Sequence, residues 1–199
     1  MKSSSKGPKL CVRAAPYVLG AALAAGCGGA TPAKAPRPRL ADSPIRVTEI
    51  HFDPSPGQGK AAFVEVTDVS ASPVDLSGWR VTGAGPLVLP KGTALAAGQA
   101  IVVCKDAEAF RKAFGAAVAP VAVFTGKLKN AGETIRVEDP AGAIADEARY
   151  AASDPEVKAA SNTGLSIHRA DLGGEGSWKA AAPTPGAYEA PVAAAAPAQ

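Results

Sequence analysis

The chain has 199 residues, 47% of them hydrophobic but largely alanine, with 21 glycines and 18 prolines. That length allows one domain with appendages, and the glycine and proline content suits short strands joined by turns rather than a low-complexity tract. The formal charge of +3 rests on Lys2, Lys6, Lys9 and Arg13, which precede any acidic residue; without those four the net charge is −1, which excludes a global nucleic-acid signature.

Residues 1–26 read as an export signal. Met1 to Arg13 is basic, and Ala14 to Ala25 is a short apolar stretch containing Val18, Leu19 and Leu23. As a helix that stretch reaches about 18 Å, short of the ~30 Å hydrocarbon core, so it suits a removed signal better than a membrane span. Pro16 weakens a spanning helix further. The stretch ends in Leu23-Ala24-Ala25-Gly26-Cys27, which resembles a bacterial lipobox, with Ala24 where leucine is usual. The resemblance implies cleavage before Cys27, acylation of that cysteine, and firm membrane attachment, since each buried methylene contributes about 0.8 kcal/mol. Gly28, in place of an aspartate, implies sorting to the outer membrane. The other reading is an ordinary secretory signal cut after a small residue. Residues 27–43, rich in alanine and proline and carrying Lys34, Arg37 and Arg39, have few bulky groups to bury and are expected to form a semi-extended tether.

The body is expected over residues 44–189. Ile45 to Phe52 alternates, its apolar phase switching from positions 45 and 47 to 50 and 52, which places a bulge near Thr48-Glu49. Asp53 to Gly59 is turn chemistry. Ala62 to Val69 forms the next strand, with Val64 and Val66 on one face and Glu65 and Thr67 on the other. Ser70 to Pro73 then turns the chain into Val74-Asp75-Leu76-Ser77-Gly78-Trp79. Trp79 opens a strand running to Val81 and is expected to anchor the core, with Asp75 and Ser77 as turn hydrogen-bonders. Leu87 to Leu89 is a short strand stopped by Pro90. Ala100 to Cys104 is the continuous apolar run of a strand buried on both faces.

Asp106 to Phe114 predicts a helix, with Asp106 as N-cap, Phe110 and Phe114 on one face, and Gly115 as the stop. Val121 to Phe124, Thr134 to Val137, Ala143 to Tyr150 and Gly164 to Arg169 are further strands, and Asp139-Pro140-Ala141-Gly142 has a type I turn signature. Eight or nine short strands with regular turns indicate an all-β, antiparallel β-sandwich with one short inserted helix; a barrel is the alternative. Its core is expected on Val64, Val66, Leu76, Trp79, Val102, Phe110, Ile135 and Tyr150. Residues 190–199 read as a disordered Ala/Pro tail.

Several phrases together resemble the lamin-tail domain, an immunoglobulin-like β-sandwich of nuclear lamins and of secreted bacterial proteins. They are Thr48-Glu49-Ile50, Phe63-Val64-Glu65-Val66, Val74 to Trp79, Leu89-Pro90, Phe124-Thr125-Gly126, Asn130-Ala131-Gly132-Glu133 and Asp146 to Tyr150. Trp178 with Pro183-Thr184-Pro185-Gly186 resembles the family's ending. Thr48 and Asp68 depart from the asparagines usual at those places. The resemblance implies an interaction or targeting module without a shared catalytic activity.

Candidate chemistry is sparse. Ser77 lacks the spacing of a nucleophile elbow. Glu49, His51 and Asp53 alternate, so they could share one strand face as metal ligands, or form a solvated face opposite Ile50 and Phe52. Cys104 is expected to be a buried, inert hydrophobe. Asp146 shares strand parity with Ile144, Ala148 and Tyr150, so its carboxylate is expected to turn inward at a bulge or turn. Lys105, Arg111, Lys112, Lys127 and Lys129 form either a solvated face or a contact for an acidic polymer, and the lack of interleaved aromatics speaks against nucleic acid. The combined expectation is a non-enzymatic module without cofactor, held at the outer membrane through lipidated Cys27 and binding an envelope protein or polysaccharide. The alternatives are a metal-dependent accessory factor or enzyme using Glu49, His51 and Asp53, and a structural assembly protein acting through a sheet edge.

Overall fold

A computed structural model describes residues 37–173 and 176–188. The expected signal peptide, Cys27 and the Ala/Pro tail lie outside the described residues. No described helix is long and apolar enough to cross a membrane.

The body is an immunoglobulin-like β-sandwich. One sheet has six strands in the order β12-β11-β1-β2-β7-β8. In chain order these are β1 (Ile45–His51), β2 (Phe63–Asp68), β7 (Ala100–Cys104), β8 (Ala122–Val123), β11 (Ser166–Arg169) and β12 (Trp178–Ala181). The second sheet, β10-β9-β4-β5, comprises β4 (Arg80–Thr82), β5 (Leu87–Val88), β9 (Gly132–Glu138) and β10 (Ile144–Ala151). A small ribbon pairs β3 (Val74–Asp75) with β6 (Ala94–Leu95). Twelve strands among the described residues exceed the expected eight or nine, because β3 and β6 are two-residue pairings and β12 carries no alternating apolar signal. The pairing is antiparallel except at β7 and β8, which run parallel. The chain leaves β7, passes through the helix α1 (Ala107–Phe114) and returns beside it in the same direction.

The bulge falls where the phase switch places it, between Val47 and Glu49. It keeps Val47 on the sandwich face and then returns Ile50 to that same face, so both pack in the main core with Val64, Val66, Ile135, Val137 and Tyr150. α1 is capped by the Asp106 carboxylate, which accepts from the amides of Glu108 and Ala109. It packs on the outside of the six-stranded sheet, where Phe110 meets Phe63, Val102 and Cys104 in a second cluster. That cover explains why Ala100–Cys104 is apolar on both faces.

Two expectations need correction. A second helix, α2 (Pro155–Ala160), starts from an Asp154 cap with proline in its first turn and buries only Val157 and Ala160; so small an apolar face gives little periodic signal. Trp79 is half-buried rather than the central anchor. It leaves the Leu76–Trp79 turn at the rim of the second sheet, where its carbonyl accepts from Leu89 just beyond the two-residue edge strand β5, too short to cover an indole. Leu76, fully buried, fills the interior instead, and Trp178 is the tryptophan that is enclosed, at 5% exposure. The rest of the expected core is buried, with Val102 and Phe110 in the second cluster.

The last residues of the expected tether lie along the body. Arg39 bridges Ile144, the amide of Leu40 donates to the carbonyl of Ile144, and the amide of Ile144 donates to that of Pro38. Arg37 pairs with Glu138 and Arg39 with Glu147.

Candidate functional site

The outer face of the six-stranded sheet is half apolar and half polar, and a different segment covers each half. α1 covers Phe63, Val102 and Cys104. The polar half arises because the bulge turns Glu49 outward directly opposite Glu65, in register across β1 and β2. His168 stands opposite Glu49 on the other side, across β1 and β11. The segment after β12 then runs over these groups. Thr184 donates to Glu49 through its amide, at 3.2 and 3.3 Å, and through its hydroxyl, at 3.3 Å. Gly186 donates its amide to Glu65 Oε2 at 2.8 Å. Proline between them offers no N–H, so the two amides flanking it fall to the two carboxylates. Two buried glutamates thus clasp one loop.

The remaining lone pairs are also used. Ser166 Oγ donates to Glu49 Oε1 at 2.5 Å, and Thr48 Oγ1 donates to Glu65 Oε1 at 2.6 Å. His168 Nε2 lies 2.9 Å from Ser166 Oγ and 3.1 Å from the carbonyl of Ala182. Both glutamates are 1% exposed, and burial dominates their protonation. It pushes Glu49 up to about 7 against the hydrogen bonds from Ser166 and Thr184. It also raises Glu65, with the charge of Glu49 adding to the effect and the bond from Thr48 opposing it. Burial lowers His168, so its 3.6 Å approach to Glu49 is a neutral contact at neutral pH rather than an ion pair. Beside the clasp lies a cavity of ≈ 290 Å³ lined by Thr48, Glu65, His168, Arg169 and Tyr188 among others. No described residue hydrogen-bonds the buried hydroxyl of Tyr188.

The structure separates the three metal-ligand candidates. Glu49 is in the clasp. His51 is 2% exposed, its Nδ1 lies 3.1 Å from the carbonyl of Leu165, and its ring packs against Phe63 and Phe114 at 5.5 and 5.7 Å. Burial pushes it down to about 4, so it is neutral. Asp53 accepts from Ser161 Oγ at 2.6 Å. Among the described residues no three His, Cys, Asp or Glu side chains gather to hold a metal ion. The face opposite Ile50 and Phe52 is not solvated either. Glu49 lies under the Thr184–Gly186 loop and His51 packs against Phe63 and Phe114.

The other singled-out residues have structural settings. Cys104 is buried and unpaired by disulfide. Ser77 accepts from the amide of Gly92 at 2.8 Å, and Asp75 accepts from that of Ser77 at 2.8 Å, as turn bonds. Asp146 turns inward at a β10 bulge, at 5% exposure. It accepts from the amide of Val47 at 2.8 Å and from Arg169 at 2.9 Å. Of the basic group, Lys105 and Lys127 line one cleft with Lys60, and Lys112 lines the next. Arg111 bonds the carbonyl of Ala107 on its own helix, and Lys129 lines neither cleft.

Glu65, Thr184 and Gly186 were not singled out as a site by sequence reasoning. The alternation Phe63-Val64-Glu65-Val66 and the bulge at Thr48 put the two glutamates on one face; the missing information is that a loop 135 residues from Glu49 closes over them.

Residues 38–152 match a family model described as Lamin Tail Domain, more than half of the chain. No curated protein matches the chain.

Proposed function

The chain belongs to the lamin tail domain family, immunoglobulin-like and generally non-catalytic, and from that premise we propose that it is a lipid-anchored binding module of the cell envelope. Cys27 carries the anchor, the following residues act as the tether, and the sandwich faces an envelope polysaccharide or protein from the outer membrane. One observation carries this reading: a basic segment, a short apolar stretch and Leu23-Ala24-Ala25-Gly26-Cys27 stand in succession ahead of the sandwich. The body supports it, because Glu49, the carboxylate that burial moves toward neutral pH, is engaged with Ser166 and Thr184 in holding the fold together.

The test is metabolic labelling with an alkyne-tagged palmitate in a bacterial host, followed by membrane fractionation. The unaltered chain takes up label and sediments with outer membranes, whereas Cys27→Ala does neither. A Cys27→Ala chain that still fractionates with membranes, or an unaltered chain that takes up no label, overturns the anchoring.

A further inference from the structure

At one end of the sandwich, away from the carboxylate clasp, three lysines from separate segments face one cleft of ≈ 450 Å³. Lys60 comes from the 3-10 turn Gly59–Ala61, Lys105 follows β7 and Lys127 follows β8. Phe52, Phe124 and Leu128, at most 2% exposed, close the cleft from inside, so it is a shaped depression with a fixed floor. Lys105 donates to the carbonyl of Thr125 at 2.6 Å, which holds its ammonium at the wall and leaves two of its three donors for a ligand.

Lys60 and Gly57 are shared with a second cleft of ≈ 320 Å³ against α1, whose far wall carries Lys112. Four ammonium groups therefore follow two adjoining clefts. Among the described residues the only acidic side chain lining either is Asp53, and one of its oxygens is taken by Ser161. Asp106, within Coulomb reach of Lys60 and Lys105, lines neither cleft and serves as the α1 cap. Among the described residues none of the four lysines forms a salt bridge.

Unpaired cations lining a recess raise the local concentration of anions. Two clefts in tandem match a chain with repeated charges better than one isolated anion. No aromatic ring lining either cleft is exposed for base stacking, which disfavours single-stranded nucleic acid. We propose that these clefts form a binding groove for an acidic polysaccharide, whose carboxylate or phosphate groups meet Lys60, Lys105 and Lys127 in turn. This deepens the envelope-binding reading and rests on it for where the polymer is met, while the charge arrangement belongs to the body alone.

The test uses the full chain with Cys27→Ala, so that binding is measured without the anchor and fails or succeeds independently of acylation. Oligogalacturonate and phosphomannan, titrated calorimetrically at low salt, distinguish carboxylate from phosphate as the preferred anion. Binding to either is expected, weakening about tenfold or more as salt rises to about 0.5 M. Replacing Lys60, Lys105 and Lys127 together by alanine should reduce it about tenfold or more, while alanine at Lys91, Lys158 and Lys179, outside both clefts, leaves it within about twofold. Should the first triple variant misfold, the exposed position Lys127→Glu carries the same comparison. The groove is wrong if neither polymer binds at millimolar concentration or if neutral dextran binds as well. It is equally wrong if the second triple loses as much as the first, or if single-stranded DNA binds tighter than both glycans.

Discussion

The carboxylate of Asp146 on β10 and the guanidinium of Arg169 on β11 meet at 2.9 Å between the two sheets. Asp146 also accepts the amide of Val47 at 2.8 Å, at the bulge of β1. Arg169 donates further to the carbonyls of Val47, at 3.3 Å, and Asp171, at 3.0 Å, and lies 6.0 Å from the ring centroid of Trp178. A bulge in each sheet is thus joined to its partner through one buried ion pair. The pair fixes how the sheets sit on each other, a registering role that apolar contacts, being non-directional, fill poorly.

Removing one partner strands the other charge at a site where Asp146 is 5% and Arg169 3% exposed. Asp146→Ala and Arg169→Ala should therefore each cost about 3–5 kcal/mol. Replacing both at once with Asp146→Leu and Arg169→Met leaves no orphaned charge, and the loss should be clearly smaller than the sum of the single losses. Urea unfolding of the four chains checks this; additive losses would mean that the pair does not act as a unit.

The carboxylate clasp makes stability depend on pH with a definite sign. Glu49 has a folded value of about 7 against an ordinary 4.5. The folded protein keeps a proton that the unfolded chain releases, so this contribution is fully present below about 4.5 and lost as pH rises through 7. Glu65 acts in the same direction. His51, pushed down to about 4, works oppositely, because below about 6.5 the unfolded chain takes up a proton that the folded one refuses. His168 follows it. Above pH 6.5 the histidine slopes fade and the glutamate slope remains. The contribution of Glu49 should then fall by about 1 kcal/mol between pH 6.5 and 8, partly offset near pH 6.5 by the protons that the unfolded histidines still hold. Glu49→Gln keeps an acceptor for Thr184 but cannot ionise, so most of that fall should vanish. An unchanged slope in the variant would remove Glu49 as its source.

Cys104 offers a third check, on cover rather than charge. Its thiol lies under α1, and burial pushes it up to about 11, so both access and thiolate fraction are low. In a full chain with Cys11→Ser and Cys27→Ala, Cys104 is the remaining cysteine. A disulfide reagent should then label the folded protein about a thousandfold more slowly than the chain in denaturant. Prompt labelling of folded protein would mean that α1 lifts readily from the sheet.

How far the sequence disclosed these features follows the reach of each signal. The β1 bulge was legible because it shifts the apolar phase from Val47 to Ile50 within four residues. α1 was legible from Asp106 and Gly115 at its ends. Asp146 was legible as inward-turning by parity, but its partner Arg169 was not, being 23 residues on and in the other sheet. Glu49 and His51 looked like an exposed face because their covers, α1 and the Thr184–Gly186 loop, arrive from distant parts of the chain. Alternation tells which residues share a face; it does not tell whether that face meets water.

The two tryptophans bring that lesson to a measurable contrast. Both carry the same apolar area, and Trp79 had the stronger local context, a turn leading into a strand. Trp178 nevertheless has the decisive position. It stands on the edge strand β12 and reaches across to β10, where its indole N–H donates to the carbonyl of Arg149 at 2.7 Å. It also faces Arg169, so its removal would loosen both the sheet-to-sheet junction and the guanidinium of the buried ion pair. Trp178→Ala should cost about 3–5 kcal/mol, the usual range for a buried large aromatic. Trp79→Ala, at a half-buried rim position, should cost about 1–2 kcal/mol, in proportion to the smaller area it removes from water. Trp178→Phe separates packing from the hydrogen bond, since a phenyl ring fills much of the space and leaves the Arg149 carbonyl unpaired, at about 1–3 kcal/mol. Urea midpoints for the three variants decide the order. If Trp79→Ala proves as damaging as Trp178→Ala, the rim tryptophan holds the sandwich after all, and the Trp178–Arg169–Asp146 junction is secondary.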